Sequence, residues 1–414
     1  MIQLRILCLS LLLIPLLGSF EIGPFFEIKD AGTAKEFLSL ISILTMFLAG
    51  TLSCRVPVNN RSHNIFLYLF IVFIPISIYS APPLKLMYEH NNMAGLWMWE
   101  ASFWILAYFM LYRSIIAMPI WPDESAKKMI GKSIGWAAML SAGYAYLQAV
   151  GLDQWQYVKA YEHIGSPLAA NITAVMGNPT HLGIWLVICL PFVIVYFKKR
   201  GIGLVIGAII LTKSDFALAG VVIIPLLLAA LRAKYKRALV CLAIAVILTI
   251  VSVWASWGQI RPKLSDNGRF GVWEQTIKDW KGKCLAIPVT PQMTRAQRIE
   301  VENINKKTYV FTGRGPGSFP YIYGTRHGAR WESPHNIYLL SLYTIGLIGT
   351  ILLLLSAGWI FVKQFFLACS DPYYAALYCS AAFICFAAIG TPFLNSGVLL
   401  YYSMAIFSLL SAKK

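Results

Sequence analysis

Residues 181–232 read HLGIWLVICLPFVIVYFKKRGIGLVIGAIILTKSDFALAGVVIIPLLLAALR. Only Lys198-Lys199-Arg200 and Lys213-Ser214-Asp215 interrupt three apolar runs, at 181–197, 201–214 and 216–231. Apolar runs of this kind joined by short polar turns are the pattern of consecutive membrane helices. Similar runs lie near 3–20, 37–54, 64–80, 99–119, 130–150, 238–256, 336–362, 372–390 and 394–411. The chain is 58% hydrophobic and 13% charged, where soluble domains carry about 25% charged residues. The pattern predicts an all-α polytopic membrane protein of about twelve transmembrane helices. Arg5 ahead of the first run suggests a signal peptide, but Leu17-Gly18-Ser19-Phe20 is a poor cleavage site, so the run is read as a span.

The net charge of +17 follows the loops. With the N-terminus inside, the inner segments hold 17 basic residues against three acidic ones, Asp123, Glu124 and Asp371. This alternation is the positive-inside rule; it puts both termini in the cytoplasm and accounts for the charge without nucleic acid. Segments 1–256, 257–335 and 336–414 then form an N-terminal bundle of about nine spans, a large helical exterior loop, and about three C-terminal spans. The loop carries 13 Lys and Arg against six Asp and Glu. Long loops cross regardless of charge, so the topology stands. The basic excess beside a bilayer suits a polyanion such as a lipid phosphate, or is simply a solvated surface.

Two helices are predicted inside the loop. Phe270, Trp273, Ile277 and Trp280 recur at helical spacing after Asp266-Asn267-Gly268, and a more polar helix follows over about 291–306. Further on, Gly313-Arg314-Gly315-Pro316-Gly317-Ser318 is a glycine-rich turn able to offer N–H groups to an anion, without the Lys-Ser/Thr of a Walker loop. Arg261, Arg269, Arg314, Arg326 and Arg330 share the loop, and arginine's planar fork suits bidentate phosphate contact. At its end, Ser333-Pro334-His335-Asn336 opens a long apolar run. Ser333 is the expected cap and Pro334 the first helical residue, placing His335 in the first turn, where the dipole favours neutral imidazole. Such a histidine can accept a proton from a hydroxyl, with Asn336 as orienting partner; a lone histidine can equally just cap or pack. Asn178-Pro179 opens another run, as a plain helix start or a substrate-lining loop. Of eight cysteines only Cys284 lies in the exterior loop, and no Cys/His cluster suggests a metal. The spans are nearly free of charge, whereas ion-coupled transporters place ionisable groups inside helices.

GNPTHLG leading into a span, RFGVWEQTIKDW, GRGPGSF, and SPHNIYL followed by GLIG resemble, in that order, the O-antigen ligase/polymerase superfamily of bacterial inner-membrane glycan transferases. The resemblance covers roughly residues 170–365. It implies transfer of a glycan from an undecaprenyl-pyrophosphate carrier to an acceptor at the periplasmic face, without metal, nucleotide sugar or other cofactor. The family's essential histidine corresponds to His335 and a loop arginine to Arg269. Where members carry a Ser-Arg-Gly-like motif, this chain has Lys213-Ser214-Asp215-Phe216, so either Lys213 supplies the charge or that part of the site differs. The expectation is an inverting ligase with lipid A-core as acceptor. His335 serves as general base; Arg269, Arg314, Arg261 and Lys213 hold the pyrophosphate, supported by Asn336, Gly315, Gly317 and Asn178. The alternatives are a polymerase, whose acceptor is a second lipid-linked glycan, and a transporter or flippase for a lipid-linked anion.

Overall fold

The computed structural model describes residues 2–16, 20–22, 26–28, 41–46, 48, 69–73, 75, 106–107, 109–115, 123–152, 172–176, 178–197, 199–233, 269–281, 294–295, 298–299, 302, 309–315, 318–319, 334–390 and 397–411. Short polar side chains set the helix starts. Asp123, Asn178, Ser214, Asn336 and Asp371 each accept from a backbone N–H two or three residues on. Donors that a helix start leaves open are thereby satisfied. In chain order the helices are α1 (Ile2–Leu13), α2 (Glu124–Ala149), α3 (Pro179–Tyr196), α4 (Lys199–Leu211) and α5 (Asp215–Arg232). They continue with α6 (Arg269–Lys281), α7 (Ile337–Ser370), α8 (Pro372–Ala387) and α9 (Gly397–Ser411).

Three of these, α3, α5 and α7, are long and apolar enough to cross a membrane. α8, α9 and the segment Ile2–Leu16 are apolar but shorter. The first run is therefore briefer than the sequence suggested. It ends in a 3-10 turn at Ile14–Leu16, and Phe20–Ile22 then pairs antiparallel with Phe26–Ile28, with Phe20 opposite Ile28. The described elements are otherwise helical, as an all-α reading expects, and they include this one ribbon. Its cause is a repeated Phe-Glu-Ile on either side of Gly23-Pro24, alternation and turn residues that favour a hairpin. Run 238–256 lies outside the described residues. Parts of the runs at 37–54, 64–80 and 99–119 are helical, over 41–46, 69–73 and 109–115.

α3 is the central helix, packed against α2, α4, α5 and α8. Its Trp185 and Phe192 are fully buried and meet Tyr402 and Tyr373 edge-on, with ring centroids 5.6 and 6.3 Å apart. Ser380 of α8 donates to the Ile188 carbonyl at 2.6 Å. Side chains of small volume admit the close approaches: a Cβ on Gly183 would lie 2.7 Å from both Thr212 Oγ1 and Ala217 Cβ.

The helices share two ends. At one, Lys127 in the first turn of α2 donates to Asp371 Oδ2 at 2.6 Å and also bonds Glu124. Asp371 meanwhile caps α8 by accepting from Tyr373 N–H at 2.8 Å. The α3 C-terminus lies here too, since Tyr196 and Phe197 cover Gly131 and Gly135 of α2. At the other end stand Asn178, the Thr212–Ser214 turn against Gly183, and Phe216 against Gly390. The start of α7 joins them, Ile337 N–H donating to the Ala388 carbonyl at 2.9 Å.

That last contact requires α7 to be folded. α8 has 16 residues, roughly 24 Å, whereas the 34 residues of α7 would run roughly 51 Å if straight. Yet both helices span from Asp371 to the Ile337–Ala388 contact. Gly346, with φ 69° and ψ −174°, divides 337–345 from 347–370. The first segment turns back against the second by well over a right angle. Residues 347–370 alone reach roughly 36 Å, enough to span a bilayer core of about 30 Å.

A turn of this kind strands backbone groups, and the loop from Tyr309 to Gly315 takes them up. Arg314 N–H and Gly315 N–H donate to the carbonyls of Tyr343 and Thr344 at 3.1 and 2.8 Å. In return Leu347 N–H and Ile348 N–H donate to the carbonyls of Val310 and Phe311 at 2.8 and 3.2 Å. Gly313 and Gly346 meet main chain to main chain: a Cβ on Gly346 would lie 2.3 Å from Gly313 N, and one on Gly313 2.3 Å from Thr344 O.

Two outcomes follow from these contacts. Gly346→Ala forces a side chain into left-handed backbone at a cost of about 1–3 kcal/mol before the clash is counted. It should lower the thermal midpoint in detergent and expose the Leu347 and Ile348 amides to hydrogen exchange. Gly358→Ala in the same helix, where a Cβ meets nothing within 4 Å, should do neither. Lys127→Met leaves Asp371 facing an apolar neighbour and should cost about 2–3 kcal/mol. Burial alone lowers the Lys127 pKa, but the hydrogen bonds and charges of Asp371 and Glu124 outweigh it and hold it above the ordinary 10.5. The contribution is full below 10.5 and disappears as pH rises through the raised value. Unfolding from pH 7 to 11 should show the wild-type advantage over Lys127→Met shrinking only above pH 10.5.

Candidate functional site

His335 lies ahead of the helix rather than in its first turn. Asn336 is the N-cap of α7, its Oδ1 accepting from Leu339 N–H at 3.0 Å, and Ile337 is the first helical residue. Asn competes well for the cap, and with the cap at Asn336 neither Pro334 nor His335 is helical. Ser333 lies outside the described residues. His335 adopts φ 51°, a left-handed backbone uncommon outside glycine though more often taken by histidine than by most residues. It is half-buried.

The strained peptide is held from two sides. Trp273 of α6 donates its indole Nε1–H to the Pro334 carbonyl at 2.7 Å, and Ile337 N–H is bound by Ala388. The predicted amphipathic helix thus packs its tryptophans against α7 and the loop from Tyr309 to Gly315, the clasp loop, Trp280 Nε1 donating to the Val310 carbonyl at 3.2 Å. Arg269 opens this helix one turn before Trp273.

Asn178 is a helix cap, its Oδ1 accepting from Thr180 and His181 N–H at 2.8 and 3.4 Å. Of its two sequence readings, plain helix initiation is what these bonds display. The helix start places His181 within electrostatic reach of His335. His181 was not a candidate in the sequence, because its first-turn position reads as helix trim; only the tertiary arrangement that brings the start of α3 near the residue ahead of α7 gives it a histidine neighbour. Lys213 lies at the same end of the bundle, exposed, in the turn between α4 and α5 with φ 52°. Asp215 follows it as the first residue of α5.

The glycine-rich turn is otherwise employed than as an anion cradle. Gly313 N–H donates to the Tyr309 carbonyl at 2.8 Å, and the Arg314 and Gly315 N–H groups go to α7. Arg314 itself is 1% exposed, so it offers no open phosphate site. Its Nη2 donates to the Asp279 carbonyl at the end of α6, and its guanidinium lies 4.5 Å from the Tyr343 ring centroid and 5.9 Å from that of Tyr309. Burial pushes the Tyr309 phenol above its ordinary pKa, against the opposing Arg314 charge, so at neutral pH the cation faces an uncharged ring. Arg261, Gly317, Arg326 and Arg330 lie outside the described residues.

The arrangement places at one end of the bundle an imidazole at a strained junction, a second histidine, an exposed lysine and hydrogen-bonding helix starts. A neutral imidazole there can accept a proton. Among the described residues no group of three His, Cys, Asp or Glu side chains could hold a metal ion.

The backbone at position 335 gives a direct check. His335→Gly removes the left-handed penalty, so it should be more stable than His335→Ala by about 1 kcal/mol in chemical unfolding. Equal stabilities would mean that the peptide is not strained. Compared with protein-family models and with curated proteins, the chain matches none.

Proposed function

We propose that this chain is a glycosyltransferase that moves a glycan from undecaprenyl pyrophosphate to an acceptor hydroxyl at the periplasmic face of the bacterial inner membrane. The observation that carries the reading is convergence. The segments holding GNPTHLG, LTKSDF, RFGVWEQTIKDW and SPHNIY are far apart in sequence yet meet at one end of the helical bundle around His335. GNPTHLG, RFGVWEQTIKDW and SPHNIY also follow the order in which the resemblance to O-antigen ligases and polymerases runs, whereas LTKSDF is where the chain departs from that family's pattern. The Lys127–Asp371 contact at the opposite end joins two segments that charge counting assigns to the cytoplasm, which supports the orientation with His335 outside. A full set of about twelve spans, with both termini cytoplasmic, belongs to the same proposal.

In this mechanism the His335 imidazole takes the proton of the acceptor hydroxyl. The acceptor oxygen attacks the anomeric carbon from the face opposite the pyrophosphate, forming the new C–O bond with inversion. The old C–O bond breaks and its electron pair leaves with undecaprenyl pyrophosphate. Cations near the leaving group stabilise that charge. Lys213, Arg269 and Arg261 are the proposed candidates; Arg314 is withdrawn from the role because its guanidinium is buried. Lipid A-core is the proposed acceptor, which makes the enzyme ligase-like. A polymerase differs only in taking a second carrier-linked unit. The transporter alternative finds little support: the buried charged residues among those described are Lys127, Asp279 and Arg314, none inside an apolar span.

Purified chain reconstituted with a carrier-linked glycan should transfer it, and His335→Ala should lose transfer by about a hundredfold or more while still binding donor. Undiminished transfer by His335→Ala would sink the mechanism. Offering lipid A-core and a second carrier-linked unit side by side separates ligase from polymerase, and vectorial movement of donor without transfer would favour the transporter.

A further inference from the structure

We infer that Arg314 is a positioning residue for His335, acting through α6 rather than through contact with substrate. The inference rests on the function proposed above for its kinetic consequences, but not for its structural ones.

The Arg314 side chain connects three elements. Its Nη2 donates to the Asp279 carbonyl in the last turn of α6. A cation at a helix C-terminus complements the dipole there and takes up a carbonyl that the helix leaves open. The guanidinium plane sits over the Tyr343 ring of α7, with Tyr309 of the loop on its border. Its main-chain N–H completes the clasp by donating to the Tyr343 carbonyl. Arg314 thus fixes the far end of α6 against the turn in α7, alongside the Trp280 bond to the Val310 carbonyl. Six residues nearer the start of α6, Trp273 holds the Pro334 carbonyl, and the next residue is His335 with its left-handed backbone. α6 is the rigid bar between the two fixings.

Both fixings are needed. The Asp279 and Thr276 side chains on the inner face of α6 are buried, but Gly271, Glu274 and Lys278 on its outer face are exposed, so the helix is covered on one side only. Released at Asp279, the far end of α6 is held less firmly, with the Trp280–Val310 bond remaining, and the Trp273 bond is loosened as the helix shifts. His335 then loses the partner that holds the preceding peptide. Arginine suits the task because a planar, five-donor fork can stack on an aromatic ring and bond a carbonyl in its own plane. Lysine has the charge but neither the plane nor the fork. The Arg314 Nε and Nη1 atoms are buried without hydrogen-bond partners among the described residues, so the stacking on Tyr343 carries much of the hold.

The test compares Arg314→Lys and Trp273→Phe in the full chain. The second removes the indole N–H that reaches Pro334, together with part of the ring, and keeps an aromatic side chain on α6. Hydrogen exchange of α6 and of residues 334–337 reports position without requiring activity, and kcat and KM for the carrier-linked donor report function. Both variants should speed exchange in α6 and at 334–337. Both should lower kcat by about tenfold to a hundredfold, as a misplaced base does, while donor KM stays within about twofold. The double variant should be no worse than the worse single one, since the two act in one chain of contacts. A rise in donor KM of about tenfold with kcat retained in Arg314→Lys would mark Arg314 as a phosphate ligand and overturn the inference. Unchanged exchange at 334–337 would overturn it equally. Should the wild type transfer no glycan, the proposed function fails, and the exchange comparison still decides the coupling.

Discussion

The structure depends most on how the turn at Gly346 is paid back in hydrogen bonds. Breaking a helix inside an apolar segment strands main-chain donors and acceptors, and hydrocarbon offers them no water. Here the carbonyls of Tyr343 and Thr344 and the N–H groups of Leu347 and Ile348 find partners in the loop from Val310 to Gly315. The solution needs two residues without side chains at the crossing, Gly313 and Gly346, both in left-handed backbone. The loop and an apolar helix are thus joined through their main chains.

That anchoring reaches the histidine. Because α7 turns back at Gly346, its first nine residues end beside α8 instead of projecting away from the bundle, and His335 comes to the end of the molecule occupied by Asn178, His181 and Lys213. α6 lies along this returning segment, bonded to Pro334 at one end and to the clasp loop at the other. The opposite end of the bundle is fastened by Asp371, which caps α8 with one carboxylate oxygen and receives Lys127 with the other. Each end therefore has a polar fastening whose groups are shielded from water, and the apolar middle is left to packing.

Much was legible locally. Asn178, Ser214 and Asp371 are small polar residues immediately before apolar runs, and each caps the helix that follows. The tryptophan spacing in 270–280 specified an amphipathic helix correctly, since periodicity is a property of neighbours in sequence. His335 was visible as a candidate, but the helix start beside it was misread by three residues: Ser-Pro-His-Asn offers two caps, Ser333 and Asn336, and local preference does not choose between them. Arg314 was misread more deeply. Five arginines in one basic loop look alike as charges, and only the structure shows that this one is buried between Asp279 and Tyr343.

The sequence by itself determined the apolar helices, their caps and the presence of a basic, aromatic loop ahead of a histidine, because hydropathy, capping and helical period act over a few residues. Tertiary structure decided the sharp turn at Gly346, the occupation of the glycine-rich run by α7, the inward place of Arg314 and the meeting of His181 with His335. Each of these depends on which main-chain groups lack a partner after the helices have packed, and that is a property of contacts between residues tens to hundreds of positions apart.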